Sequence, residues 1–244
     1  MATLVIGTRG SPLALVQANW VAAGIAAHYP GVRISTRIIT TSADRDTRTS
    51  IRSASSTGVF VREIEEALLR REIDLAVHSM KDLPTMVPDA LTIGAIPARE
   101  DARDALIVTG GRRTLQDLPA GAVVGTGSIR RQAQILARRP DLRVRDIRGN
   151  VGTRLQKLDA GGYDAIVLAC AGLNRLQLHD CFRTPLEFTE MLPATCCRKH
   201  SGPAAHGWTL LPAMRTSSPK LTAAGWRRWS CMRRILLYSQ APPP

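Results

Sequence analysis

A chain of 244 residues with a formal charge of +13 is long enough for one large domain or two compact ones, and its charge at first suggests a nucleic-acid binder. The distribution argues against that: residues 195–244 hold eight Lys or Arg and no Asp or Glu, leaving 25 basic and 20 acidic residues in the first 194. Aromatics make up only 4%, too few for a base-stacking platform, and five cysteines without framework spacing exclude a secreted disulfide scaffold.

The chain opens directly on the apolar run Leu4–Thr8, read as a strand, without a basic leader or cleavage-like site. Pro12 sits where a helix would begin, and Leu13, Val16 and Trp20 then recur at helical spacing to about residue 27. Val32–Thr40 is rich in β-branched residues and predicts a second strand. Phe60, Ile64, Ala67 and Leu68 mark the inner face of a helix, followed by strands at Leu75–His78 and Leu91–Ile96. A charged seam at 97–104 precedes a restart of the same pattern. Val123–Gly125 is a strand, Ser128–Arg138 a helix and Val144–Ile147 a strand; Val151, Leu155 and Leu158 share one helix face before the strand Ala165–Ala169.

This alternation predicts an α/β fold of two lobes facing one cleft. Lobe 1 spans residues 1–98 and lobe 2 spans 99–190. A basic tail over 195–244 shows no clear periodicity, holds three of the four tryptophans and six of the fifteen prolines, and is expected to be poorly ordered. No apolar stretch approaches the roughly 20 residues needed to cross a bilayer. A cytoplasmic protein is expected, with no nucleic-acid or membrane partner.

Four turns carry cations where a strand meets a helix: Thr8-Arg9-Gly10-Ser11, His78-Ser79-Met80-Lys81-Asp82, Gly125-Thr126-Gly127-Ser128-Ile129-Arg130-Arg131, and Arg148-Gly149-Asn150-Val151-Gly152-Thr153-Arg154. Helix N-termini attract anions and guanidiniums grip carboxylates in a bidentate fork, so the turns point to a ligand with several carboxylates. Arg130 stands where a dinucleotide fingerprint needs its third glycine, against a Rossmann cofactor. Asp82, among cations, would stay ionised and could stabilise a cationic intermediate, or it could be a helix cap or surface ion pair. His78 reads as a packed strand-end histidine and Cys170 as a buried small hydrophobe. Cys196-Cys197 with His200 and His206 matches no standard zinc spacing, and no metal is expected.

Together these motifs, with Ile6–Leu15, Arg99–Ala105 and Asp164–Ala169, resemble the porphobilinogen deaminase (hydroxymethylbilane synthase) family over about residues 4–194. The resemblance implies a transferase of tetrapyrrole and heme biosynthesis that condenses four porphobilinogens, with loss of ammonia, into a linear tetrapyrrole built on a cysteine-linked dipyrromethane cofactor. It implies that Asp82 is the catalytic aspartate, holding pyrrole N–H groups and stabilising the azafulvene-like intermediate. Arg9, Lys81, Arg130, Arg131, Arg148, Arg154 and Arg175 match cations for cofactor and substrate carboxylates; Ser11, Ser79, Thr126 and Ser128 match supporting hydrogen-bond donors. A monomer is expected.

The family's glycine-rich segment before the Phe60 helix reads here Ser53-Ala54-Ser55-Ser56-Thr57-Gly58. The resemblance implies two periplasmic-binding-protein-like lobes around a cleft; after Ala194 the family's returning strand, which would complete lobe 1, and its third domain, with the cofactor cysteine, are not recognised. No anchoring cysteine is therefore assigned, and the tail reads as another translation frame. The alternative reading is a truncated, catalytically dead fragment that still binds polycarboxylate pyrroles.

Overall fold

A computed structural model describes residues 2–45, 61–79, 82, 88–97, 99–111, 113–179, 183–194, 209–210 and 234–238, the last two segments through their backbone. In chain order the elements are β1 (Ala2–Thr8), α1 (Pro12–His28), β2 (Val32–Ile38), α2 (Ser42–Arg45), α3 (Arg62–Leu69), β3 (Leu75–His78), β4 (Leu91–Ile96) and β5 (Asp104–Val108). There follow β6 (Val123–Gly125), α4 (Ile129–Arg138), β7 (Arg143–Arg145), α5 (Val151–Asp159), β8 (Ala165–Ala169), α6 (Cys170–Arg175), β9 (Arg183–Pro185), β10 (Thr209–Leu210) and β11 (Arg234–Tyr238). The chain divides into two compact units, residues 1–100 with 196–244, and residues 101–195.

In the first unit the strand order is β10-β4-β11-β3-β1-β2. Alternation along β1 sends Leu4 and Ile6 to one side, against Ala18 and Val21 of α1, and Val5 to the other, with Ile64, Ala67 and Leu68 of α3. The buried face of α1 is Gln17, Ala18 and Val21, whereas Val16 is exposed. This helix is apolar almost all round, so spacing alone does not single out its inner face. Ser11 caps it, its hydroxyl accepting from the Ala14 N–H at 3.4 Å, and Pro12 occupies the first turn, where no N–H is needed.

The second unit repeats the plan with the order β7-β6-β8-β5-β9. Ile135 of α4 packs on one side with Leu106, Val124 and Val167. Leu155 and Leu158 of α5 and Leu173 of α6 pack on the other, with Ala105, Ile107 and Ile166. Ser128 and Asn150 cap α4 and α5, accepting from the backbone N–H groups of Arg131 and Thr153. Gly149 has φ +111°, and a Cβ there would stand 2.7 Å from Thr153, so the turn entering α5 requires glycine.

The order of the five-stranded second sheet recurs in the first, which adds β10 at its edge, and one shared slot differs in direction. β5 runs antiparallel to both β8 and β9, whereas β11 fills the corresponding place between β3 and β4 running parallel to both. The sequence reading left the tail without strands. The structure instead draws Arg234–Tyr238 from it as an inner strand and Thr209–Leu210 as a partner of β4. The Phe60 position, the 53–58 segment and the remainder of the tail lie outside the described residues. Among the described residues no helix is long and apolar enough to cross a membrane.

Candidate functional site

In each unit the candidate residues follow the carboxyl ends of parallel strands, the side on which open α/β sheets bind ligands. In the first unit Arg9 and Ser11 follow β1, and Ser79 and Asp82 follow β3; the four line one recess with Gln17 and His78. The Arg9 guanidinium is held by Asp44, whose Oδ1 accepts from Nη2 and whose Oδ2 accepts from Nε at 3.2 Å. Thr41 donates to the same carboxylate from its hydroxyl at 2.8 Å and its N–H at 3.2 Å. Burial raises the Asp44 pKa, but the hydrogen bonds from Arg9 and Thr41 outweigh it and hold the carboxyl below its ordinary range.

Ser79 donates its hydroxyl to Gln17 Oε1 at 3.2 Å, and the Gln17 side chain is buried. Asp82 is half-buried, in a single turn where its N–H donates to the Ser79 carbonyl at 3.0 Å. His78 is buried, its Nδ1 3.3 Å from the Ser79 carbonyl, which fits a packed strand-end residue. Lys81 lies outside the described residues.

In the second unit Arg130 and Arg131 open α4 and share one buried carboxylate. Asp104 Oδ2 accepts from Arg130 Nη2 and Oδ1 from Arg131 Nη2, each at 2.6 Å. Arg131 Nη1 donates to the Val167 carbonyl at 3.0 Å, and its buried Nε has no hydrogen-bond partner. Thr126 is buried, and its hydroxyl accepts from the Ser128 N–H at 3.2 Å.

Arg148 pairs with Asp146 at 3.2 Å, and Arg154 donates from Nε to the Gly149 carbonyl at 2.8 Å. The Arg154 pKa is pushed down, first by burial and then by the positive charges of Arg131 and Arg148, against the pull of Asp146. Arg131 and Arg148 thus lie near enough to Arg154 to act on its charge. Arg175 sits half-buried at the end of α6.

Sequence reasoning passed over the carboxylates that hold these cations. Asp44 and Asp146 carried a faint signal in the alternating charges of Asp44-Arg45-Asp46 and Arg145-Asp146-Ile147-Arg148. Asp104 was visible only as part of a charged seam. Cys170 is buried as expected and packs with Ile166 and Leu173; burial pushes its thiol up to about 11. Cys181, Cys196, Cys197 and Cys231 lie outside the described residues, as do His200 and His206. Among the described residues no three His, Cys, Asp or Glu side chains gather as a metal site.

The family model described as "Porphobilinogen deaminase, dipyromethane cofactor binding domain" matches residues 4–197. A porphobilinogen deaminase from Desulforudis audaxviator is 50% identical over 204 residues, 84% of this chain and 64% of the relative. One from Thermus thermophilus is 51% identical over 194 residues, 80% of this chain and 62% of the relative. The chain thus spans about three fifths of the length of these relatives.

Among solved structures, the periplasmic aliphatic sulphonate binding protein SsuA from Escherichia coli has a TM-score of 0.44 at 17% identity, covering 78% of this chain and 58% of that one. An ancestral arginine-binding protein bound to arginine has a TM-score of 0.39 at 18% identity, covering 76% and 78%. With a family match running from β1 past β9 and through both sets of cationic turns, the chain belongs to the porphobilinogen deaminase family.

Proposed function

We propose that this framework serves hydroxymethylbilane synthase, the stepwise deaminating condensation of four porphobilinogens into a linear tetrapyrrole. The observation that carries the reading is the gathering of Arg130, Arg131, Arg148 and Arg154 beyond the carboxyl ends of β6 and β7, with the buried Arg131 Nε left without a partner, which suits the acetate and propionate groups of such a substrate. Arg9 and Lys81 in the first unit and Arg130 and Arg175 in the second are assigned to ligand carboxylates, and Ser11, Ser79, Thr126 and Ser128 to supporting hydrogen bonds. Asp82 is assigned to the chemistry: its carboxylate would accept pyrrole N–H groups and oppose the positive charge that develops as ammonia leaves.

A dipyrromethane group fits part of what is present. Its carboxylates find the same guanidiniums and the unpartnered Arg131 Nε, and when bound it supplies the end on which the pyrrole chain is built. A covalent anchor is another matter. Cys170 is buried with its thiol held protonated, the opposite of a reactive thiolate.

Cys170 is thereby set aside as the anchor, and the second reading kept beside the synthase is a polycarboxylate-pyrrole binder without turnover. A cytoplasmic location and a monomeric state go with either. Titration with porphobilinogen and assay of released ammonia separate the readings: binding with release supports the synthase, binding without release the inert binder, and absence of binding contradicts both.

A further inference from the structure

We propose that Asp104 is a positioning residue that aims the Arg130 and Arg131 forks at ligand carboxylates without itself touching the ligand. This rests on reading the arginines as a carboxylate site and adds what holds them in place. Asp104 is 2% exposed and is the first residue of β5, where its backbone is fixed on two sides. It stands opposite Ala169 of β8, and its carbonyl accepts from the Leu186 N–H at 2.8 Å. A carboxylate on such a pedestal has little freedom, so what it binds inherits its direction.

Each oxygen takes one guanidinium, Oδ2 from Arg130 and Oδ1 from Arg131, both at 2.6 Å. The second fixings are backbone carbonyls: Leu192 for Arg130 Nη1 and Val167 for Arg131 Nη1. Two consecutive residues at the start of α4 would otherwise send long flexible side chains along different paths. One carboxylate shared between them ties both to a single point.

The stoichiometry separates positioning from charge cancellation. A carboxylate that served only to neutralise would meet one cation, whereas this one meets two and leaves the group with a net positive charge. It also leaves Arg131 Nε, buried and without a hydrogen-bond partner, as a donor still to be used. A buried donor is costly to leave unsatisfied, and an incoming anion would satisfy it.

The test is calorimetric titration of the full chain with porphobilinogen. Asp104→Asn keeps the shape and removes the charge, and affinity is expected to fall about 10-fold as the forks lose their aim. Asp104→Glu, which keeps the charge but moves it by one methylene, should also bind more weakly while melting near the parent temperature. It stands in if the Asn variant does not fold. In a chain already carrying Arg130→Lys and Arg131→Lys, Asp104→Asn should change affinity by no more than about twofold, since it acts through the forks.

Unchanged or tighter binding by Asp104→Asn, or the same loss in the lysine background, would overturn the proposal. The Arg130 and Arg131 Nε–H resonances give an independent reading, slow in guanidinium rotation in the parent and averaged in Asp104→Asn. If the parent fails to bind porphobilinogen, the carboxylate-site reading falls. The resonances then still decide the role of Asp104, because signals unaffected by Asp104→Asn would overturn it.

Discussion

At the scale of single residues, the site cations are held by carboxylates a few residues or a few strands away. Asp101 is held below the usual carboxylate range chiefly by its hydrogen bond from Arg103, and Asp44 by Arg9 and Thr41 against the effect of burial. A depressed carboxylate pKa in the folded state adds stability that is complete above the ordinary value of 3.8 and disappears as pH falls through the lower folded value. Asp101→Asn is therefore expected to lower the melting temperature at neutral pH and to flatten its decline below about pH 4, as thermal melts across that range would show.

Cys170 behaves in the opposite sense, its thiol pushed up to about 11. At pH 8 about one thiol in a thousand would be ionised. Iodoacetamide treatment at that pH followed by peptide mapping should leave Cys170 unmodified; rapid alkylation would reopen it as an anchor. Arg130→Lys and Arg148→Lys should each weaken porphobilinogen binding, because an ammonium cannot reproduce a planar fork. Unchanged titration curves would place both on the solvated surface.

At the scale of elements, legibility followed burial. The buried strands β3, β4, β6 and β8 have the boundaries that the sequence predicts, because each is a short, mostly apolar run. The starts of α4 and α5 were legible from the turns before them, while the capping by Ser128 and Asn150 is seen in the structure. The face of α1 was not legible, for want of a polar side. β9 was missed because Arg183-Thr184-Pro185 holds no apolar run, and α6 because it continues from β8 with no turn residue between them.

Asp104 was missed for a different reason. Its meaning lies in pairing with Arg130 and Arg131 across 26 and 27 residues, and local pattern does not report such contacts. Ser128 illustrates two roles at one position, a cap seen in the structure and a ligand donor implied by the family. Ser128→Ala is expected to cost about 1 kcal/mol of stability in the second unit and Ser128→Gly only a few tenths. Equal losses by chemical denaturation would remove the cap from the account.

At the scale of the molecule, the common sheet order of the two units makes β11 the informative strand. Ile235–Tyr238 is an apolar run in a tail otherwise unlike the rest of the chain, and it joins β3 to β4 in a slot that β5 fills with the opposite direction in the second unit. Deletion of residues 234–244 should raise amide exchange in β3 and β4 while leaving β6 and β8 unchanged, since those strands belong to the other compact unit. Exchange unaltered in β3 and β4 would show that this strand adds nothing to their stability.

The central claim is that the guanidiniums of the second unit form a site for a pyrrole bearing carboxylates. Calorimetric titration of the whole chain with porphobilinogen, at low and at high salt, tests it most directly. The account predicts saturable binding that weakens as salt rises and falls about 10-fold or more in Arg154→Met, which removes a member of the Arg131, Arg148 and Arg154 cluster. Absence of saturable binding, or binding indifferent to both salt and Arg154→Met, would contradict it.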